Sequence, residues 1–460
     1  MTNNTKHAVL SNVQLWTRTN DGAWMRETLT PGSLTGIADV AIARHITHVW
    51  ILPECGDFEQ QKSAGAYTIQ INERHDKMVA VSIWKRGAGH VNIIFAGNTI
   101  WWGDVAEPLW MQRAAFCPSE IIATIMFVER ALGVPFTASA GGIGWSYLKT
   151  LHPEWVEEIP GVDLKECHFD KHAGPDIIWQ SPYLAMYIQA GALYVHKFDK
   201  GSAYPAASTM TDIGVGTPVH VDHGRDTEKL DKIGNFRKVG VWNCHVTSMA
   251  IHDIMPPAHI ASGQYWLAGP RINMLRAAGY SVEAFEGYVF PEQHDVLTLW
   301  AKNLWDIRQG FDGTNDANVK TWGDVACMGY AREAIKLIAN ATIGFTAFKG
   351  FEDEDNEKKR PDIRLQVIAR HTEIMRANIA KVKAMYGAAP VMVYMDAVYY
   401  LSDNPDGRAA FPELVKREGK LGGFKYEGRV AITDQVRDMF LSKKNVATRL
   451  EALNKIGWTK

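Results

Sequence analysis

Long apolar runs are missing from this chain of 460 residues, and so is any excess of charge. No stretch approaches the roughly 18 apolar residues of a membrane-spanning helix, so a helical membrane protein is excluded and no membrane partner is expected. Lys and Arg number 49 against 51 Asp and Glu, a net charge of −2. That balance excludes a chain whose whole surface grips nucleic acid electrostatically, and leaves a local basic surface open. Cysteine is scarce. The five, Cys55, Cys117, Cys167, Cys244 and Cys327, show no C-x-x-C spacing, which argues against a zinc site or a disulfide framework and fits a reducing compartment. The opening residues, MTNNTKHAVLSNVQLW, lack a basic region followed by an apolar run, so no signal peptide is expected and the chain is read as cytoplasmic. Internal repeats and low-complexity segments are absent too.

What is present is ordinary globular composition, 46% hydrophobic and 22% charged, with length for two to four domains. Sixteen tryptophans serve either as core or as platforms for stacked bases. To about residue 130, strand-like runs (THVWILPE, KMVAVSIW, HVNIIFAG) alternate with turns, and a helix, SEIIATIMFVERAL, follows a cap at Pro118-Ser119-Glu120. The loop from Gly133 to Gly144 is read as a domain boundary. Beyond it come a strand, ALYVHKFD, that stops at KGSAYPAAS, and an alternating run, FRKVGVWNCHVTSMAIHD. WLAGPRINMLRAAGYSVEAFEGYVF reads as strand, helix, strand. Two helices, HDVLTLWAKNLWDIRQG and DVACMGYAREAIKLIANATIG, precede a solvated charged loop, FEDEDNEKKR. A long amphipathic helix, IRLQVIARHTEIMRANIAKVKAMYG, leads into VMVYMDAVYYLSD, read as a short apolar strand holding one acid, Asp396.

Three segments carry chemistry. Asp199 ends an apolar strand, and the turn marked by Gly201, Ser202 and Pro205 exposes backbone N–H groups suited to phosphate oxygens; the plainer reading is a turn cap. Arg332, Lys336, Asn340 and Gly344 are four apart and follow one helix face with a drift of about 40° per step. Such a face suits a triphosphate beneath a base, or else is simply solvated. Asp396 on an apolar strand is costly without a partner. One carboxylate from each of two strands, Asp199 and Asp396, is what two Mg²⁺ ions about 3.5–4 Å apart need for phosphoryl transfer.

The order strand-Asp, basic helix, strand-Asp resembles family-B DNA polymerases, most like the protein-primed subfamily of phages and linear plasmids. The family's D-x-x-S-L-Y-P is matched by Asp199, Ser202, Ala203, Tyr204 and Pro205. The resemblance implies a metal-binding Asp199 and a Tyr204 that packs under the sugar and excludes a 2′-hydroxyl, with Ser202 and Ala203 beside the nucleotide. Its K-x-x-x-N-S-x-Y-G is matched by Lys336, Asn340, Ala341, Ile343 and Gly344, with Arg332 one turn earlier. Lys336 is implied to touch the triphosphate, while Ile343 replaces the usual tyrosine. Its D-T-D-S-[IV]-Y can be laid on DAVYYLS in two registers. One, preferred because it also matches the small residue, the β-branched residue and the tyrosine that follow, puts Asp396 on the indispensable second acid and Tyr394 on the first. The other puts Asp396 on the first and Val398 on the second, and implies an inactive protein. Lys420 and LGGFKYEG (421–428) resemble the K-L-G-x-[WF]-x-x-E segment, which implies DNA contacts at Lys420 and Lys425.

The resemblance spans about residues 135–430. It implies an α/β (α+β) fold, a right-hand polymerase palm and fingers preceded by a degenerate RNase H-like exonuclease domain. The boundaries expected are 1–135 for that domain, 136–300 for the first part of the palm, 301–350 for the fingers, 351–430 for the rest of the palm, and 431–460 for a short basic helical tail or minimal thumb. The exonuclease motif D-x-E is not found: Glu54, Asp57 and Glu59 stand in the wrong context, and SEIIATIMFVERAL offers no Asp. Residues 415–460 hold eleven Lys and Arg against five acids, which suits contact with a nucleic-acid backbone or a merely soluble tail.

The function expected is a polymerase without proofreading that adds dNTPs to a 3′-hydroxyl, or from a protein or unprimed start, using Mg²⁺ (Mn²⁺ as substitute). Its expected partners are primer-template or single-stranded DNA, dNTPs and a priming protein, in a bacterial, plasmid or phage setting. The alternatives are an inactive polymerase-fold protein that binds nucleic acid in replication or end protection, and a template-independent nucleotidyltransferase.

Overall fold

The computed structural model describes residues 7–12, 14–18, 23–29, 33–55, 58, 65–74, 77–99, 101, 111, 117–153, 178–222, 235–247, 263–346, 360–442 and 445–459. Cys167, Asp57, Glu59, the charged run 351–359, the end of the alternating run (248–253), and Lys443, Lys444 and Lys460 lie outside these. The chain forms two compact units, Met1–Tyr147 with Asp306–Thr342, and Leu148–Trp305 with Ile343–Lys460. Among the described residues no helix is long and apolar enough to cross a membrane.

The first unit is built on β1 (His7–Ser11), β2 (Gln14–Arg18), β3 (Trp24–Thr28), β4 (His48–Ile51), β5 (Tyr67–Arg74), β6 (Lys77–Lys85) and β7 (Gly89–Phe95). They form one sheet in the order β3-β2-β1-β4-β7-β6-β5. A meander, β1 to β3, is antiparallel, whereas β1, β4 and β7 run parallel. Alternation assigns the faces. Ala8, Leu10, Val81, Ile83, Val91 and Ile93 point to one side, where helix Leu34–Ala43 lays down Leu34, Ile37, Ala38 and Ala41. Its entry is capped by the Ser33 side chain, which accepts from the Gly36 N–H. Helix Pro118–Leu132 matches the span expected, with Pro at its start and Gly133 at φ +69° ending it. Three strands, HAVLS, QLWTR and WMRET, precede the first one expected from the sequence. THVWI is the fourth.

The second unit holds β8 (Ile178–Gln180), β9 (Tyr194–Lys200), β10 (Ile213–Val215), β11 (Val219–Asp222), β12 (Gly240–Thr247), β13 (Gly263–Ala268), β14 (Ser281–Val289), β15 (Glu292–His294), β16 (Met392–Tyr394), β17 (Ala397–Ser402) and β18 (Phe424–Ala431). Five of these make an antiparallel sheet in the order β18-β9-β17-β16-β8. One face packs Phe198, Val398, Tyr400 and Phe424 on Met375, Ile379 and Val382 of helix Pro361–Tyr386. The other packs Val195, Ala397, Tyr399 and Val430 on helices Leu184–Gln189, Asp434–Leu441 and Val446–Ile456. A second sheet, β11-β14-β12-β13, is covered by helix Gly269–Ala277. A buried ion pair pins the start of helix Pro361–Tyr386 to β10. Arg360 donates to both oxygens of Asp362 (2.9 and 2.8 Å) and to the Gly214 carbonyl (2.7 Å), and lies over the Phe290 ring.

Candidate active site

In β9, HKFDK alternates: Val195, Lys197 and Asp199 share one face of the sheet, and His196, Phe198 and Lys200 the other. The neighbouring strand places Ala397 directly opposite Asp199. VMVYMDAVYYLSD is not one strand. It folds as the β16–β17 hairpin, with Tyr394 paired to Ala397 and only Met395 and Asp396 between them. The lone acid therefore stands at a turn on the sheet's end rather than in the core, which removes the desolvation cost a strand position would impose. Met395 takes φ +54°, a region L-residues seldom enter. The turn is held by the Asp396 carbonyl, which accepts from the Lys200 N–H at 2.9 Å, and by a bond between His371 and the Met395 backbone.

Asp199 and Asp396 line one cavity of about 380 Å³, within the range of sites for a single small molecule. Lys197, Tyr394 and Tyr399 complete its sheet side, and Leu450, Glu451 and Asn454 of helix Val446–Ile456 form the opposite wall. Burial, and then the carboxylates of Asp199 and Asp396, push the Tyr399 hydroxyl above its ordinary range, so it stays protonated. The helix is fastened beyond its end as well. Trp458 packs 5.9 Å from the Tyr399 ring, and Thr459 exchanges backbone bonds with Arg429 of β18. Val398, the second acid position in the rival register, is buried in the core on the face away from Asp199.

On the far side of β9, Lys200 is 3% exposed, donates to the Gly422 carbonyl at 2.6 Å and lies over the Phe424 ring. Gly201 donates to Gly423 and accepts from Gly422, so its amide is not free for the phosphate cradle expected there. Gly422 and Gly423 of LGGFKYEG are both needed here: a Cβ on Gly423 would stand 1.8 Å from the Arg417 carbonyl oxygen, and one on Gly422, at φ +71°, 2.6 Å from Ala206 Cβ. Gly423→Ala is expected to cost about 2 kcal/mol, in the range of overpacking, seen as a lower denaturation midpoint.

Burial, then Arg417, lower Lys200 to about 8 from its ordinary 10.5, while Asp396 opposes them. The folded chain thus holds that proton less tightly than the unfolded one, so stability rises with pH between about 8 and 10.5. Relative to Lys200→Met, the wild-type protein is expected to gain up to ~3 kcal/mol across that window, measured by denaturation at several pH values.

The loop Gly201–Ser202, with Ser202 at φ +51°, feeds helix Ala203–Ser208. Ala203 is buried, and the half-buried Tyr204 sets its ring 5.4 Å from His371. Burial, then the Lys200 charge, hold His371 down to about 4, so it is neutral behind the tyrosine at physiological pH. Lys425 stands beside Asp199 in the register and pairs with Glu427 at 2.8 Å. Lys420 is exposed on the turn before β18.

Arg332, Lys336 and Asn340 belong to the first unit, and Gly344 to the second. Helix Val325–Phe345 turns Ala331, Ala334, Ile335 and Ile338 inward, and Lys336, Asn340 and Gly344 outward in one stripe, with Arg332 half-buried at its start. Arg332 is 3.7 Å from Asp312, and Lys336 3.9 Å from Glu333. The unit boundary falls within this helix, between Thr342 and Ile343. The structure thus groups Asp199, Ser202, Ala203, Tyr204, Gly344, Asp396, Lys420 and Lys425 in one unit, and Arg332, Lys336 and Asn340 in the other.

No protein-family model matches the chain, and no curated protein sequence does. Solved structures do. Phi29 DNA polymerase complexed with primer-template DNA and incoming nucleotide substrates is similar over 92% of this chain and 84% of its own, with a TM-score of 0.57 and 12% identity. Its orthorhombic crystal form gives 0.55 at 13% identity, over 92% and 85%, and its complex with single-stranded DNA 0.52 at 13%, over 92% and 84%. The chain has the fold of a family-B DNA polymerase.

Within this polymerase fold, the departures noted in the sequence gain a physical setting. Ile343, where the family motif has tyrosine, is buried and off the exposed stripe. Tyr394, in place of an acid, lines the cavity beside Asp396. Sequence reasoning missed Tyr399, Lys200, His371, Glu451 and Asn454. Strand alternation from Asp199's partner Ala397 could have found Tyr399. The two helix residues carry no local signal at all. Among the described residues no group of three or more His, Cys, Asp and Glu could hold a metal ion.

Proposed function

We propose that this chain is a DNA polymerase of the protein-primed family-B kind, acting in the cytoplasm of a bacterial, plasmid or phage system. It adds deoxynucleotides to a 3′-hydroxyl, or to a protein or unprimed start. The observation that carries this reading is that Asp199 and Asp396, far apart in sequence, share one nucleotide-sized cavity. The phi29 structures, which hold primer-template DNA, single-stranded DNA and incoming nucleotides, support those ligands for this chain.

The donor set fits Mg²⁺, with Mn²⁺ as substitute: carboxylate oxygens, and neither Cys nor His on the cavity wall. Asp199 and Asp396 would hold the two ions, which when bound activate the attacking hydroxyl and neutralise charge on the leaving pyrophosphate. The 3′-oxygen bonds to the α-phosphorus as the bond to pyrophosphate breaks. Tyr204, backed by His371, checks the sugar, with Ser202 and Ala203 alongside. Arg332 and Lys336 clamp the triphosphate, Asn340 and Gly344 shape the pair pocket, and Lys420 and Lys425 contact the DNA backbone. The five-stranded sheet is the palm, the helix bearing Lys336 the fingers, and the two C-terminal helices a minimal thumb.

Proofreading is absent on this reading. β1, HAVLS, has no carboxylate, and Glu129 is committed to His7 Nε2 and the Phe136 N–H, each at 2.8 Å. A 5′-labelled single strand incubated with Mg²⁺ and no dNTPs is expected to keep its length; progressive shortening would contradict this.

Template-independent addition is a second reading, favoured by the burial of Ile343, which removes a contact that tests the base pair. A homopolymer template separates the two. Copying admits only the complementary dNTP, whereas untemplated addition admits all four.

A further inference from the structure

The face of the seven-stranded sheet turned away from helix Leu34–Ala43 changes character from one end to the other. Near β1 it is sealed: His7, His48 and Trp50 are buried, and the two histidine rings stack 5.1 Å apart. Near β5 it lies open. The registers there set Thr68 opposite Trp84 and Trp84 opposite His90, and in the next row Gln70 opposite Ser82 and Ser82 opposite Asn92. Trp84 and His90 stack with centroids 5.9 Å apart and planes 16° from parallel, yet Trp84 is 39% exposed. Ser82 donates to Asn92 Oδ1 at 2.8 Å, and Asn92 meets His48 Nε2 at 3.3 Å. A ladder of polar and ring groups thus runs from the buried to the open end. Among the described side chains from Thr68 to Asn92, this face of β5, β6 and β7 carries no carboxylate; Asp39, which pairs with Lys85, lies on the other side of the sheet.

We propose that this open face binds single-stranded DNA, with a base stacked on Trp84 and the amides of Gln70 and Asn72 set toward base edges. A flat ring held by a stacked neighbour is pre-ordered and presents a π-face that any unpaired base can cover. Duplex bases are already covered by one another, which makes the ligand a single strand. With no acid on the face, phosphates meet no repulsion.

The test uses the full chain carrying Asp396→Asn, so that neither turnover nor its absence affects the result. A short oligonucleotide containing photoreactive 5-iododeoxyuridine is crosslinked to it, and the attached peptide is mapped. Affinity for the same strand is followed by fluorescence anisotropy for Trp84→Ala, His90→Ala and Trp84→Phe. Crosslinking within residues 67–95 is expected, with an affinity loss of about tenfold for Trp84→Ala and near-complete rescue by Trp84→Phe, in keeping with the stacking range. A strand with an abasic stretch should bind wild-type protein as weakly as the intact strand binds Trp84→Ala. Crosslinks confined to other segments, or equal affinity for folded Trp84→Ala and wild type, would overturn the proposal.

Discussion

Exchanging Asp396 for asparagine is expected to lower nucleotide incorporation about a thousandfold or more, equivalent to at least ~4 kcal/mol of transition-state stabilisation. The substitution preserves shape and removes one negative charge. Its structural cost is small, because Asp396 is half-exposed in a two-residue turn whose bond to the Lys200 N–H uses the backbone carbonyl. Circular dichroism and denaturation midpoint should therefore stay close to wild type while incorporation collapses. The effect is large because the cavity's other acids do not replace it: Tyr394 stands at the first acid position of the motif, and Glu451 is paired with Lys455 at 2.7 Å. A small loss of activity would mean that Asp396 is not a metal ligand.

The largest stability effect is expected away from the cavity, at Arg360 and Asp362. Both side chains are fully buried, at 0% exposure. Asp362→Ala leaves a guanidinium with the Gly214 carbonyl and the Phe290 ring but no counter-charge. Breaking a buried pair from one side costs about 3–5 kcal/mol. One nitrogen, Arg360 Nη1, already has no hydrogen-bond partner, so the pair starts incompletely satisfied. The double change Arg360→Met with Asp362→Leu should thus recover most of the loss. Urea denaturation of the wild type and the two variants checks both statements. Equal destabilisation by the single and double changes would show that packing, rather than the unpaired charge, sets the cost.

How much was legible in the sequence depended on whether the signal was local. Helices with long periodic faces, such as Pro118–Leu132 and Pro361–Tyr386, stood out, as did the α/β class and the polymerase resemblance. The strands HAVLS, QLWTR and WMRET did not. They are five residues long, and the residues of WMRET are all exposed, so no alternation marks them. The β16–β17 hairpin was hidden because its turn, Met395-Asp396, uses neither glycine nor asparagine although Met395 takes a positive φ. Turn chemistry is what a sequence normally announces. Motif spacing found Asp199 and Asp396, yet it could not reach Glu451 and Asn454, which meet the cavity only through the packing of Val446, Leu450 and Leu453 on the sheet.

That packing also makes the C-terminal helix part of the site rather than a solvated tail, despite its basic surroundings. Its apolar side is core, and its Glu451 and Asn454 face the acids.

The most direct measurement is extension of a labelled primer on a complementary template with Mg²⁺ and dNTPs, comparing wild type with Asp199→Ala and Asp396→Ala. Extension by the wild-type protein, abolished by either change, is the predicted result. No extension by a folded wild-type protein that still binds the DNA, or extension that survives both changes, would contradict a polymerase site built on these two aspartates.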